Sequence, residues 1–287
     1  MIHWPREVIS DLARRRTVVF LGAGISRNST TIEGRQPKTW IEFLNFAAQR
    51  VNPNRHIKLL IRERDYLTAC EVIKKEVGRE EFNQLLKDEF LSPKYRTSPI
   101  HEAIFKLDSR IVATPNFDKI YESYANHEAG GSIVVKHHFD PDIAEAIRGT
   151  DRVILKVHGT IDSPERMIFT RKEYAESREK YRSFYSLLEA LALTHTFLFM
   201  GCGVNDPDIR LLLEDTFFRH PSSRSHIFVL PKQGLHNSLR IVLQESMNLK
   251  ILTYKSAHNH RELSESIEQL VGLVESQREV LKETGNW

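Results

Sequence analysis

Residues 17–26 read TVVFLGAGIS. Thr17 leads into Val18, Val19, Phe20 and Leu21, an uncharged run that predicts a strand buried on both faces. Gly22, Ala23 and Gly24 then turn the chain, and glycine there allows a backbone approach to a ligand that a Cβ would block. Ser26 follows, suited to cap or to hydrogen-bond a phosphate. A strand ending in such a turn leaves backbone N–H groups pointing outward, which favours a pyrophosphate. The usual dinucleotide fingerprint asks for a third glycine at position 27, where this chain has Arg27, so a dehydrogenase-type site is disfavoured. A tight strand–turn without a ligand is the competing reading.

The 287 residues allow one large α/β domain with an insertion, or two domains. A formal charge of +3 is small for this size and implies no dominant nucleic-acid footprint. The run Arg14–Arg15–Arg16 closes a predicted helix, where the dipole favours cations. Cys70 and Cys202 are the only cysteines and form no CxxC, which excludes a four-cysteine zinc module and argues against a disulfide framework. The N-terminus lacks an apolar core of signal-peptide length, and no stretch approaches the ~18–20 apolar residues of a membrane span. A reducing cytoplasm is the expected location, with no membrane association and no direct nucleic-acid binding.

Outward from the glycine turn, residues 5–16 predict a helix before it, and 28–38 predict a mobile polar loop over the site mouth. Residues 39–107 read as a helical insertion, with about four helices between 40 and 90 and a further one capped by Ser98-Pro99. Strands are expected at 110–114, 132–135, 151–157, 196–200, 226–230 and 249–254, with a short one at 167–169. Helices near 171–182 and 184–193 are expected to pack on the insertion. Asn205, Asp206 and Pro207 open another helix, Asp206 as its cap. Residues 259–287 carry a C-terminal helix whose Leu263, Ile267, Leu270, Val274 and Leu281 share one stripe. Alternating strands and helices predict a doubly wound parallel sheet, Rossmann-like, built from residues 1–38 and 108–258.

Four predicted strand ends carry glycine or polar groups: GAGIS (22–26), TPNFD (114–118), KVHG (156–159) and GCG (201–203). In a parallel sheet these ends share one edge, so side chains distant in sequence converge there. Asn116 can both donate and accept, which suits a ribose hydroxyl or a water. His158 takes a proton near neutrality, its ordinary pKa being ~6.5. Asp118 either binds ribose or an amide, or caps the helix that follows. Gly201 and Gly203 would let the backbone approach a nucleotide. The remaining histidines, His137-His138 among them, lack metal-ligand spacing, and no metal is expected.

These motifs, with GCGVNDPDI (201–209) and PKTW (37–40), resemble in order and spacing the sirtuin-like family, and most closely its bacterial antiphage-defence branch, whose members hydrolyse NAD. The resemblance implies a sirtuin-type Rossmann fold and NAD as substrate. It implies Asn116 and His158 as catalytic residues, with Gly22, Ala23, Gly24, Ser26, Asp118, Gly201 and Gly203 binding the dinucleotide. It further implies an NAD glycohydrolase restrained by homo-oligomerisation and by a partner, a hexameric HerA-type ATPase. The chain departs from the protein deacylases. Their Gly-Ile-Pro-Asp-Phe-Arg stretch is absent from Ser29–Glu33, their Thr-Gln-Asn is Thr114-Pro115-Asn116, and their zinc module is missing. A deacylase is therefore disfavoured. A non-catalytic NAD or ADP-ribose sensor is the alternative, and nicotinamide release separates it from an enzyme.

Overall fold

The computed structural model describes residues 1–204, 207–233 and 235–286. In chain order, α1 (Arg6–Ala13) leads into β1 (Thr17–Leu21), and α2 (Ala23–Ser26) follows at once. Next come α3 (Trp40–Ala48), α4 (Arg55–Arg62), α5 (Tyr66–Val77), α6 (Arg79–Phe90) and α7 (Pro99–Lys106). The chain returns to the sheet as β2 (Ile111–Thr114), α8 (Ile120–Glu128), β3 (Val134–His137), α9 (Ile143–Arg148) and β4 (Val153–Lys156). After α10 (Arg171–Lys180) and α11 (Arg182–Thr194), β5 (Thr196–Met200), α12 (Pro207–Arg219) and β6 (His226–Pro231) follow. Last are α13 (Asn237–Met247), β7 (Leu249–Tyr254) and α14 (Ala257–Thr284).

The strands form one sheet in the order β3-β4-β2-β1-β5-β6-β7, every pairing parallel. This is the doubly wound, Rossmann-like arrangement expected from the alternation of elements. The chain builds outward from β1 in one direction through β2, then crosses to the other side with β5. Open α/β sheets bind ligands at such a reversal, beyond the carboxyl ends of the strands. All five residues of β1 are buried, as a central strand covered on both faces requires.

Three apolar clusters hold the fold. Val19, Leu21, Val112 and Met200 pack on one face with α1, α7 and α14, and the stripe of α14 is spent there. Val18, Phe20, Leu155 and Phe199 pack on the other with α9, α11, α12 and α13. The third cluster, built from α3 to α6, closes over Ile161, Met167 and Phe169, beyond the end of β4. Residues 167–169 are therefore not the expected strand; helical side chains bury them, with no ladder. Arg171 with Asp65 and Lys74 with Glu173 join α10 to α5, whereas α11 lies in the second cluster. The short α9 is an element the sequence reading did not include.

The 28–38 segment, expected to be mobile, is fastened. Glu89, 1% exposed, pairs with Arg35 and Lys38 and accepts from the Lys38 N–H at 2.9 Å and the Tyr95 hydroxyl at 3.1 Å. Arg27 bonds Glu42 and the Pro37 carbonyl, and Thr39 and Glu42 form a capping box that starts α3. A buried carboxylate of this kind is stabilised by paired donors and costly to orphan.

Two buried histidines make stability depend on pH. Burial pushes His101 and His226 down to about 4 from 6.5. His226 Nδ1 accepts the Phe197 N–H at 3.2 Å, which requires the unprotonated ring. Both rings are neutral when folded and take up protons when unfolded below about pH 6.5, so stability falls as pH drops from about 6.5 toward about 4. Each histidine contributes on the order of 1–3 kcal/mol to that slope. Urea midpoints measured from pH 7 to pH 5 should fall, and His226→Gln should flatten the dependence; an unchanged slope in the variant would contradict this assignment.

Candidate active site

The glycine turns meet each other before they meet anything else. The Gly22 N–H donates to the Met200 carbonyl at 2.9 Å and the Gly24 N–H to the Gly201 carbonyl at 2.9 Å. A Cβ on Gly22 would stand 2.4 Å from the Gly201 oxygen, and one on Gly201 (φ +67°) 2.6 Å from the Ile25 nitrogen. Gly22 and Gly24 were expected to offer free N–H groups to a pyrophosphate. Instead they spend those groups on the neighbouring loop, because β1 and β5 are adjacent and their ends must pass within backbone contact. Ala23 and Gly24 remain exposed on the rim. Gly203 is exposed, and among the described residues other than its chain neighbours none comes within 4 Å of its Cβ direction. Asn205 and Asp206, the latter read as a cap, lie outside the described residues.

One strand over, Thr114 ends β2. Its hydroxyl donates to the Leu21 carbonyl at 2.7 Å and accepts the Asn116 N–H at 3.1 Å, which locks the 115–118 loop to the end of β1. The Asn116 side-chain amide donates to Ser26 Oγ at 3.1 Å, and Ser26 Oγ donates to Asp118 Oδ2 at 2.8 Å. Asp118 Oδ1 accepts the Ile120 N–H at 3.0 Å. Of the two roles left open for Asp118, the helix-entry role is the one its hydrogen bonds display. Ser26, Asn116 and Asp118, 92 residues apart at the extremes, thus form one bonded chain at the mouth of β1 and β2.

His158 stands two residues beyond Lys156 of β4, as Asn116 stands two beyond Thr114 of β2, and Thr114 and Lys156 are register partners. The two proposed catalytic residues therefore occupy neighbouring strand ends on one rim. His158 is 4% exposed and lies between aromatic rings. The Phe117 centroid is 6.4 Å away, and the Tyr174 ring meets it edge-on at 5.1 Å. The Tyr174 hydroxyl lies 3.3 Å from Nε2 and 3.4 Å from Nδ1, so it can turn to either nitrogen. Phe117 stacks on Phe169 at 4.1 Å and Phe169 on Trp40 at 5.0 Å. That column ties the tryptophan of PKTW, at the head of the insertion, to the histidine.

Lys156 was not singled out in the sequence. It is 1% exposed, donates to the Asp118 carbonyl at 2.6 Å and pairs with Glu122 Oε2 at 2.9 Å. With Ser26, Thr114 and Asn116 it lines a cavity beneath the rim, against α8. Among the described residues no group of three or more His, Cys, Asp or Glu is arranged to hold a metal ion, and no helix is long and apolar enough to cross a membrane.

A SIR2-like domain model matches residues 110–252, the stretch that supplies β2 through β7. That match takes in 143 of the 287 residues. The NAD(+) hydrolase ThsA of Enterococcus faecium is 27% identical over 225 residues, covering 77% of this chain and 44% of that protein. The Defense-associated sirtuin 2 of Bacillus subtilis is 25% identical over 211 residues, covering 72% of this chain and 20% of that protein. The chain thus spans less than half the length of either relative. A solved structure from work on the mechanism and regulation of Sir2 enzymes covers 95% of this chain and 98% of its own, at TM-score 0.49 and 15% identity. The parallel sheet is a doubly wound, Rossmann-like arrangement whose β2 to β7 lie in the part matched by the SIR2-like model, and its helical insertion lies between β1 and β2.

The loop-to-loop contact predicts a split between two glycines. Gly22→Ala, with backbone 2.4 Å from the new carbon, should cost roughly 2 kcal/mol or more in urea unfolding. Gly203→Ala, with no atom of the described residues other than its chain neighbours within 4 Å, should stay within about 0.5 kcal/mol of the parent. Equal losses would contradict the contact.

Proposed function

We propose that this chain hydrolyses the N-glycosidic bond of NAD, releasing nicotinamide and ADP-ribose, as the effector of a bacterial antiphage system. One observation carries the reading: Asn116, bonded to Ser26, and His158 stand on neighbouring strand ends, in a chain that matches a SIR2-like model and is similar to proteins named NAD(+) hydrolases.

The chemistry suits those residues. The nicotinamide nitrogen is cationic in NAD and takes the electron pair of the breaking C–N bond, so it leaves neutral and needs no acid. The ribosyl carbon passes through an oxocarbenium-like state, as in glycoside hydrolysis. Water adds to that carbon and gives up a proton. Asn116, uncharged and already oriented by Ser26, is suited to hold the ribose hydroxyls or the water. His158, with the Tyr174 hydroxyl at hand, is suited to accept the proton, a role worth about 10²–10⁴-fold in rate. The proposal includes restraint by self-association and by a hexameric HerA-type ATPase in the cytoplasm, supported by the family resemblance of the four motifs.

Purified chain incubated with NAD, alone and together with its ATPase partner, should release nicotinamide and ADP-ribose in equal amounts in at least the second arm. Asn116→Ala and His158→Gln should each lower turnover by about 10²-fold or more. The Asn116 variant should keep its melting temperature, since the lost amide only bonds Ser26 from a half-buried position. Tight NAD binding without release would replace this reading with a sensor.

A further inference from the structure

We propose that Lys156 is a positioning residue for NAD cleavage, holding in register the loop that carries Asn116; the inference rests on the hydrolase reading above. β4 is otherwise apolar, VILK, and its lysine is among the largest fully buried side chains of the protein. A buried ammonium is costly, and a hydrophobic pair of similar volume would stabilise the fold as well as the Lys156–Glu122 pair or better. What an apolar residue cannot supply is the hydrogen bond from Nζ to the Asp118 carbonyl at 2.6 Å.

That bond is one of three that fix Asp118. Its carbonyl is held by Lys156, its Oδ1 by the Ile120 N–H and its Oδ2 by Ser26. The same Ser26 hydroxyl receives the Asn116 amide. Lys156 therefore reaches Asn116 through Asp118 and Ser26 without touching substrate. Releasing the carbonyl removes one restraint on the 115–119 loop and lets it shift, and a misplacement of about 1 Å lowers rates by about 10²-fold. Glu122 plays a different part. It balances the buried charge, and its carboxylate does not hold the loop.

The test separates stability from catalysis in the full chain, reading melting temperature together with kcat and KM for NAD. Lys156→Met should lower both melting temperature and kcat, leaving Glu122 as an uncompensated buried charge. The double variant Lys156→Met with Glu122→Leu removes both charges. It should recover the melting temperature while kcat stays down about 10–100-fold and KM changes less than about threefold. Recovery of kcat together with the melting temperature would overturn the proposal, since Lys156 would then serve stability alone. Should the double variant fail to fold, Glu122→Gln decides: it keeps the Lys156 donor, so it should lose melting temperature yet hold kcat within about threefold. A kcat loss equal to that of Lys156→Met would overturn the proposal. Wild-type chain that releases no nicotinamide either alone or with its ATPase partner would fail the hydrolase reading itself, and the proposal with it.

Discussion

Where the strand order switches from one side of β1 to the other, the ends of β1 and β5 pass within backbone contact, and the two glycine turns are seated on each other. A side chain at 22 or 201 would wedge those strands apart at the one place where both sheet halves start. The rest of the rim is arranged from this seat. It fixes the direction of α2, and α2 delivers Ser26 to the loop after β2. The Asn116 N–H and side-chain amide then donate to Thr114 and Ser26, each at 3.1 Å, so the amide of Asn116 is oriented before any ligand arrives. Orientation supplied by the fold lowers a barrier without being remade in each turnover.

The insertion works on the neighbouring strand end. Its own core closes over the segment that follows β4, and the column Trp40–Phe169–Phe117 carries that packing to His158. Phe117 follows Asn116 directly in sequence, and its ring lies 6.4 Å from that of His158. A helical bundle that looks peripheral along the chain is thus the floor on which the proposed base rests.

Much of this was legible beforehand. β1 and β5 begin and end where their uncharged runs do, because a central parallel strand must be apolar on both faces, and the edge strand β7 fills the run read at 249–254. The four motifs lie on one rim because parallel pairing leaves them no other edge. The failures have physical causes. Met167–Phe169 is as apolar as a strand, but what buries it is a bundle assembled from residues about a hundred positions earlier, which no local pattern reports. The glycines satisfied a ligand-based argument and a packing argument alike, and only the register of β1 on β5 decides between them. Lys156 was absorbed into a buried run; a lysine inside VILKV was the available signal, since a charge so placed needs partners.

The central claim is that one nucleotide lies between position 116 and His158. An experimental structure of the Asn116→Ala variant soaked with intact NAD tests it most directly. The account predicts the nicotinamide ribose at the rim between the ends of β2 and β4, with its anomeric carbon within reach of a water bonded to His158. Nicotinamide ribose found elsewhere on the fold, or on the far side of Phe117 from the imidazole, would contradict it.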